Sequence, residues 1–411
     1  MHAGILHQLT DFAWNAKMWV LALPLLMAGC ITPVDYGKIP HSEYIAPEQC
    51  NPLASETVDG DALPYFVVTS RLPNCLTENI TLLHHRGEKL RYGRFATPQD
   101  DIAGKDDPIH SVPLSLVNET RWWADLASQM GAKEGRVLLY VHGYRETFFT
   151  TSRDTAQIAR LTNFGGPVIQ YSWPSQGQLL KYPVDETNMY WDERNFRKFL
   201  MRLARQDWTK EIILVSHSLG ARLVLPSVEY VDQISTRTDS SVISNIILVS
   251  PDVDTQDFER DIAEELLSTQ RVENGRRVTV YASAKDRALE VSSDLHGYPR
   301  LGYPRCFSPF EAAELEARDL PIRCYADHPE YAVTMSQSAL TIVDTTAVSQ
   351  GRAGHSNYLL SAPACQDFAA VVNGERSPSG RQSTYLDHVF RLPPIPKGEK
   401  PDHLAICRRK N

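Results

Sequence analysis

Short apolar runs punctuate this chain, four of the seven are followed by a stretch of helical spacing, and one of them, Val137 to Val141, has no polar face at all. Tyr65-Phe-Val-Val-Thr69, Val137-Leu-Leu-Tyr-Val141, Val168-Ile-Gln-Tyr171, Ile212-Ile-Leu-Val215, Ile246-Ile-Leu-Val249, Val278-Thr-Val-Tyr-Ala282 and Leu340-Thr-Ile-Val343 are the runs. A strand can lack a polar face only if both of its faces are covered, which is the situation of a parallel sheet. Between the runs lie the covers. Thr151 to Leu161 places Ala156, Ile158, Ala159 and Leu161 at helical intervals, and Arg194 to Leu203 does the same with Phe196, Phe199, Leu200 and Leu203. Leu219 to Tyr230 and Phe258 to Leu267 read as two more helices. Strand and helix in alternation predict an α/β fold, a mostly parallel central sheet with helices on both faces.

Composition narrows what such a fold does here. The 411 residues carry 42 Lys and Arg against 50 Asp and Glu, a formal charge of −8. With no basic excess to release counterions, a chain whose main partner is nucleic acid is excluded. Hydrophobic residues make up 42% of the chain, too many for a disordered one. One continuous apolar stretch, Met18 to Ala28, follows Lys17 and is too short for a stable bilayer span, so a polytopic membrane protein is excluded. No Gly-x-Gly-x-x-Gly follows an early strand, so hydride transfer is not signalled. No Cys-x-x-Cys or His-Glu-x-x-His occurs, and the adjacent His84 and His85 read as polar surface residues rather than metal ligands.

The stretch Met18 to Ala28 ends in Leu26-Met27-Ala28-Gly29-Cys30, which resembles a bacterial lipobox. That resemblance implies residues 1–30 as a signal, acylation of Cys30, and a protein exported to the bacterial cell envelope and held on a membrane surface by lipid rather than by a spanning helix. Residues 31–60, rich in Pro, Glu, Ser and Asp, read as a flexible tether. Beyond the signal the cysteines are Cys50, Cys75, Cys306, Cys324, Cys365 and Cys407, an even set that in an exported chain points to disulfides. Cys306 and Cys324 flank one irregular segment and are the first candidates for a local bridge.

The chemistry concentrates in Ile212-Ile-Leu-Val-Ser216-His217-Ser218-Leu219-Gly220, where an apolar strand runs through Ser-x-Ser-x-Gly into a helix. A nucleophile on so tight a turn stands above the carboxyl edge of the sheet, and the residues two positions either side must be small. Ser216 and Gly220 both are. Ser218 is the candidate nucleophile, at a helix N-terminus where free amides favour developing negative charge. The alternative is a serine that only caps the helix. A second strand ends in His142-Gly143-Tyr144, and the backbone amides of Tyr144 and Leu219 are the candidate oxyanion donors. A base and an acid should follow in the order serine, acid, histidine. His355, in the Gly-flanked loop beyond the strand at Leu340, fits the base better than His296, His328, His388 or His403. Asp286, just past the strand at Val278, is the preferred acid, with Asp252 and Asp254 as rivals one strand earlier.

Taken together, Val137 to Tyr144, Tyr171-Ser-Trp173-Pro174-Ser175, Val215 to Gly220, Ser250-Pro-Asp252, Tyr281-Ala-Ser-Ala-Lys-Asp286 and Gly354-His355-Ser356 resemble the α/β-hydrolases of unknown function grouped as DUF900. Leu90-Arg-Tyr92-Gly93-Arg94 and the strand at Tyr65 are similar to its N-terminal part, so the resemblance spans roughly residues 62–375. It implies an α/β-hydrolase fold, a Ser218, Asp286 and His355 triad, no metal and no organic cofactor, and it brings no common substrate. The expected layout is a hydrolase domain over 61–375 and an extended C-terminal arm over 376–411. Within the domain, the insert 296–330 is a candidate cap. Its aromatic residues would form an apolar wall, or Arg300, Arg305 and Arg323 would instead attract an anionic substrate; the alternative is a surface excursion stapled by Cys306 and Cys324 with no part in catalysis.

The expected function is a serine hydrolase of the esterase, lipase or thioesterase type that works through an acyl-enzyme on a small ester or thioester. A catalytically silent envelope protein that binds a partner with the same fold is the alternative, and a serine peptidase is a third reading.

Overall fold

The computed structural model describes residues 64–74, 80–97, 113–131, 134–234, 242–303, 339–349, 353–383 and 388–394. Cys30 and the rest of the signal and tether lie outside these residues, as do Cys50, Cys75, Cys306, Cys324, Cys407, His328, His403, Arg305, Arg323 and the insert from residue 304 on.

The described strands are β1 (Tyr65–Asn74), β2 (Thr81–Phe95), β3 (Leu114–Val117), β4 (Arg136–Val141), β5 (Val168–Ser172), β6 (Glu211–His217), β7 (Ile243–Val249), β8 (Arg277–Ala282), β9 (Leu340–Asp344), β10 (Gln382–Ser383) and β11 (Val389–Arg391). They form one sheet in the order β10-β11-β9-β8-β7-β6-β4-β5-β1-β2-β3. The stretch from β1 to β11 is parallel throughout, and the antiparallel pairs β1–β2, β2–β3 and β10–β11 finish the two edges. Each apolar run of the sequence is thus a strand of the parallel core, as the two-sided cover required.

The main helices are α1 (Glu119–Gly131), α2 (Phe148–Thr162), α3 (Tyr182–Ala204), α4 (Ala221–Ile234), α5 (Arg287–His296) and α6 (Ala362–Val372). Alternate residues of each strand serve opposite layers, the two-residue period of a pleated sheet. Leu139, Ile169, Leu214, Ile246 and Val280 pack with Trp122 of α1, Phe196 and Phe199 of α3 and Val224 of α4. Leu138, Val168, Ile213, Ile247 and Tyr281 pack with Ile158 of α2 and with Phe368 and Val371 of α6.

Strand order reverses between β4 and β6. From β4 the chain moves to β5 on one side, then returns past β4 to β6 and continues outward through β7, β8 and β9. Crossovers diverge from such a point and leave a crevice at the carboxyl ends of the two central strands, where ligands of open α/β sheets bind.

Several elements differ from the expectation. Helix α3 begins twelve residues before Arg194, at Tyr182, because its first half presents Asp185, Asn188 and Asp192 inward at helical spacing. Polar positions carry no apolar period, so that half is invisible to hydrophobic patterning. The Phe258 to Leu267 segment is helical but broken, a π-turn (Phe258–Ile262) leading into a short helix (Ala263–Leu266). Strand β2 runs through His-His-Arg-Gly-Glu-Lys, a charged sequence tolerated beside an antiparallel sheet edge. The segment after residue 375 is more than a surface arm, because β11 pairs in parallel with β9 and β10 closes that edge. Extending the sheet gives an otherwise open strand its backbone partners.

Candidate active site

Ser218 follows directly on the end of β6 and has φ of +53°, in the left-handed region that a residue with a Cβ rarely enters. The turn into α4 imposes this, since Ser218–Gly220 is a single 3₁₀ turn between strand and helix. Strain of this kind persists where surrounding structure over-determines it. Two glycines supply that surrounding. A Cβ on Gly143 would lie 2.7 Å from the Ser218 Cβ and 2.9 Å from the His217 carbonyl oxygen. One on Gly220 would lie 2.5 Å from the His142 carbonyl oxygen. The ends of β4 and β6 meet only because both positions lack a side chain. Behind the turn, the Asp252 amide donates to the Ser218 carbonyl at 3.1 Å.

The loop after β4 is held by a buried polar network. His142 is fully buried, its ring stacked on Trp173 with centroids 4.8 Å apart, and the Trp173 indole donates to the His142 carbonyl at 2.8 Å. Burial, aided by the charge of Arg71, pushes the His142 pKa well below its ordinary value, so the ring stays neutral. The Arg145 amide donates to Asp185 at 3.0 Å and the Glu146 amide to Ser175 Oγ at 2.9 Å. The fully buried Arg71 guanidinium donates to the Glu146 carbonyl at 2.8 Å, the Ser175 carbonyl at 2.9 Å and Ser172 Oγ at 3.0 Å. Burial lowers the Arg71 pKa to about 10 against the pull of Asp185, Glu146 and Asp192, which still leaves it charged. Tyr144 is part of this loop, so the direction of its amide is set by groups that cannot move independently. His84, expected on the surface, is half-buried and approaches the Ser175 carbonyl at 3.0 Å.

His355 and Asp286 come together. His355 Nδ1 donates to Asp286 Oδ2 at 2.7 Å. Asp286 is fully buried and uses its other oxygen, Oδ1, to accept from the Ala288 and Leu289 amides at 3.1 Å each, so it caps α5 as well. Burial opposes a charged imidazole, but the Asp286 carboxylate, with Asp252 and Glu146 further off, outweighs it and holds the His355 pKa above its ordinary value. The two loops approach closely. Gly354 has φ of +62°, a Cβ there would lie 2.7 Å from the Lys285 carbonyl oxygen, and the Arg287 amide donates to the Ala353 carbonyl at 2.8 Å. The His355 side chain keeps 16% of its surface exposed.

The rival acids have other partners. Asp252 is buried and accepts from Ser292 Oγ at 2.7 Å, from the Tyr182 hydroxyl at 2.5 Å and from Arg222 at 3.2 Å. Asp254 accepts from the Gln256 and Asp257 amides as a helix cap. His296 faces Glu186 at 3.2 Å, away from the Asp286 pair. Arg300, expected to attract an anionic substrate, is buried and faces Asp252 at 3.6 Å rather than solvent. His217 was not among the expected site residues, yet its ring lies 4.7 Å from that of His355. Its place inside the elbow motif was the available signal. Among the described residues no three His, Cys, Asp or Glu side chains are grouped to hold a metal ion.

The family described as "Alpha/beta hydrolase of unknown function (DUF900)" matches residues 119–371. No curated protein matches the chain. Similar solved structures include a predicted CIB-like hydrolase from Thermoplasma acidophilum, 13% identical, which covers 70% of this chain and 92% of its own with a TM-score of 0.31. They also include an esterase of Pyrobaculum calidifontis, 12% identical, covering 59% of this chain and 76% of its own at a TM-score of 0.29. A third is the phospholipase PlaB of Legionella pneumophila in complex with thio-NAD, 13% identical, covering 37% and 39% at a TM-score of 0.25.

Proposed function

The chain belongs to the DUF900 family of α/β-hydrolases, and on that premise we propose that it is a serine hydrolase of carboxylic esters or thioesters. Ser218 Oγ attacks the acyl carbon while His355 Nε2 takes its proton. Asp286 keeps the other proton on Nδ1 and favours the imidazolium as it forms. The oxyanion of the tetrahedral intermediate is met by the amides of Tyr144 and Leu219, a contribution of about 3 kcal/mol for one such donor. Collapse expels the alcohol or thiol, protonated by His355, and water activated by the same ring releases the acid from the acyl-enzyme.

The observation that carries this reading is the 2.7 Å bond from His355 Nδ1 to Asp286, in a molecule whose Ser218 stands strained at the carboxyl end of the neighbouring central strands. Strain of this kind at a serine supports the reading, because strained residues cluster at active sites. The experiment is labelling of the purified protein with a fluorophosphonate probe together with turnover of short p-nitrophenyl esters. Wild type should label and turn over, and Ser218→Ala should do neither while keeping its fold. Unlabelled wild type would favour the silent envelope protein.

We further propose that the enzyme works at the bacterial cell envelope, held on a membrane surface through lipid on Cys30, because Leu26 to Cys30 resembles a lipobox. Cys365 supports an oxidising compartment, since it is buried and disulfide-bonded, its partner thiol lying outside the described residues. Cys30→Ser should move the protein from the membrane to the soluble fraction. Unchanged membrane association in that variant would remove the lipid anchor from the proposal.

A further inference from the structure

We propose that His217, the residue immediately before the nucleophile, is a positioning residue that fixes the catalytic base by donating from Nε2 to the backbone carbonyl of His355. The inference rests on the reading of Ser218 and His355 as nucleophile and base. Three observations carry it. His217 Nε2 lies 3.2 Å from the His355 carbonyl oxygen. A carbonyl only accepts, so the proton must be on Nε2. His217 is 4% exposed, and its ring packs 4.7 Å from the His355 ring and 5.6 Å from that of Tyr358. The third observation is a cost. With the proton on Nε2, Nδ1 is a bare acceptor, and it is buried with no hydrogen-bond partner among the described residues. A side chain kept only for packing would be better replaced by an apolar one of similar size, because an unpaired buried acceptor destabilises the fold. Something other than packing holds a histidine there.

The loop of the base shows what that is. The Ala353 carbonyl is bonded by the Arg287 amide, the Gly354 carbonyl by Asn357 Nδ2 at 2.9 Å, and the imidazole by Asp286. Those contacts fix the approach to His355 and one edge of its ring. The carbonyl of His355 itself is bonded by His217, and without it the peptide beyond the base can tilt and carry Nε2 off the line of the nucleophile. Side chains alternate along β6, so Ile213, Val215 and His217 share the face over which Tyr358 and α6 lie, and Ser218 follows as the chain leaves the strand. Two adjacent residues therefore set both ends of one proton transfer.

The task requires a neutral ring. A proton on Nδ1 would set a second cation beside the imidazolium of the intermediate. Burial, then the neighbouring His355, lower the His217 pKa to about 3, so it stays uncharged where a base can work. The titratable groups facing it are His355 and Tyr358 from the loop of the base and His142 from the end of β4, itself held neutral.

The test uses the full chain and three variants, with p-nitrophenyl acetate as substrate. His217→Phe should lower kcat by about 10- to 100-fold with little change in KM, the scale of a small misplacement of a reacting group. It should also shift the acid limb of the kcat/KM profile, and its thermal midpoint should equal or exceed that of wild type. His217→Gln, which can return an N–H near the place of Nε2, should recover most of the loss. Wild-type kcat in His217→Phe, or equal impairment of both variants, overturns the inference. Fluorophosphonate labelling of wild type and Ser218→Ala separates the two levels. Labelling that needs Ser218 together with an indifferent His217→Phe sinks this inference alone, whereas absent labelling sinks the nucleophile and this inference with it.

Discussion

The two halves of the site are held in different ways. The half at β4 and β6, with Ser218 and the loop after His142, is built on groups that are almost wholly buried and bonded to one another. Its glycines touch backbone, its histidine stacks on a tryptophan, and a buried guanidinium ties Ser172, Ser175 and Glu146 together. The half at β8 and β9 depends on two facing loops, a few hydrogen bonds and a base that remains partly open to solvent. Groups that bind developing charge gain from being fixed in advance. The half with the base is held by fewer bonds, among them the Asp286 carboxylate at its ring and His217 at its carbonyl. Apart from Ser218 and His217, whose replacement acts on the reaction itself, substitutions in the first half should therefore act through stability, and those in the second through turnover.

The strongest way to break that division is to invert it. Arg71→Met removes a buried charge that bonds the Ser172 hydroxyl and the Ser175 and Glu146 carbonyls, and it takes a neighbouring positive charge from Asp185 and Asp192. It should cost about 3–5 kcal/mol, read as a fall in the urea midpoint or as loss of soluble protein. A variant as stable as wild type would show that the network is not what fixes the first half. Asp286→Asn should do the opposite. Asparagine can still cap α5, so stability should change by less than about 1 kcal/mol, while kcat drops roughly 10⁴-fold because the imidazole loses its proper tautomer. Crippled turnover in Asp252→Asn with normal turnover in Asp286→Asn would reverse the assignment of the acid.

A smaller effect follows from the raised His355 pKa. Turnover needs the neutral base, so activity should fall as pH drops through a pKa above 6.5, and the Asp286→Asn limb should lie lower than that of wild type. The stability linkage has the other sense. The folded pKa is above the unfolded one, so the His355–Asp286 pair stabilises the fold fully below pH 6.5 and that share is lost as pH rises through the folded value. An acid limb below pH 6 in wild type would contradict both.

The smallest effect lies outside the site. Glu259, in the π-turn, is 5% exposed, and desolvation raises its pKa to about 7 from 4.5. The penalty is absent below pH 4.5, grows with pH and is complete above about pH 7, so Glu259→Gln should raise the urea midpoint at pH 8 and leave it nearly unchanged at pH 4. Equal stability of the two proteins at pH 8 would show that the carboxylate finds water.

What could be read from the sequence follows the same line between apolar and polar construction. The parallel strands were legible because Val137 to Val141 or Ile212 to Val215 can be explained by two-sided burial and little else. The strand-to-helix turn at Ser218 was legible because an apolar run leads through small residues into helical spacing, and the order serine, acid, histidine singled out two residues that the fold brings together, His355 and Asp286. Arg71, Asp185 and Asp192 were not legible. Each is an ordinary surface residue type, and its burial is explained largely by partners in other elements, such as Tyr171 for Asp192, Arg145 for Asp185 and Ser172 for Arg71. Sequence spacing holds no record of such pairings. The C-terminal strand at Val389 was hidden because three residues leave no period to detect.

Asp286 divides its two oxygens between a helix end and an imidazole. The carboxylate cannot rotate toward one without releasing the other, so the first turn of α5 and the readiness of the base rise and fall as a single opening equilibrium. Hydrogen exchange at the Ala288 and Leu289 amides, which the cap alone protects, is then a clock for the lifetime of the competent site. It can be read in the resting protein, without substrate.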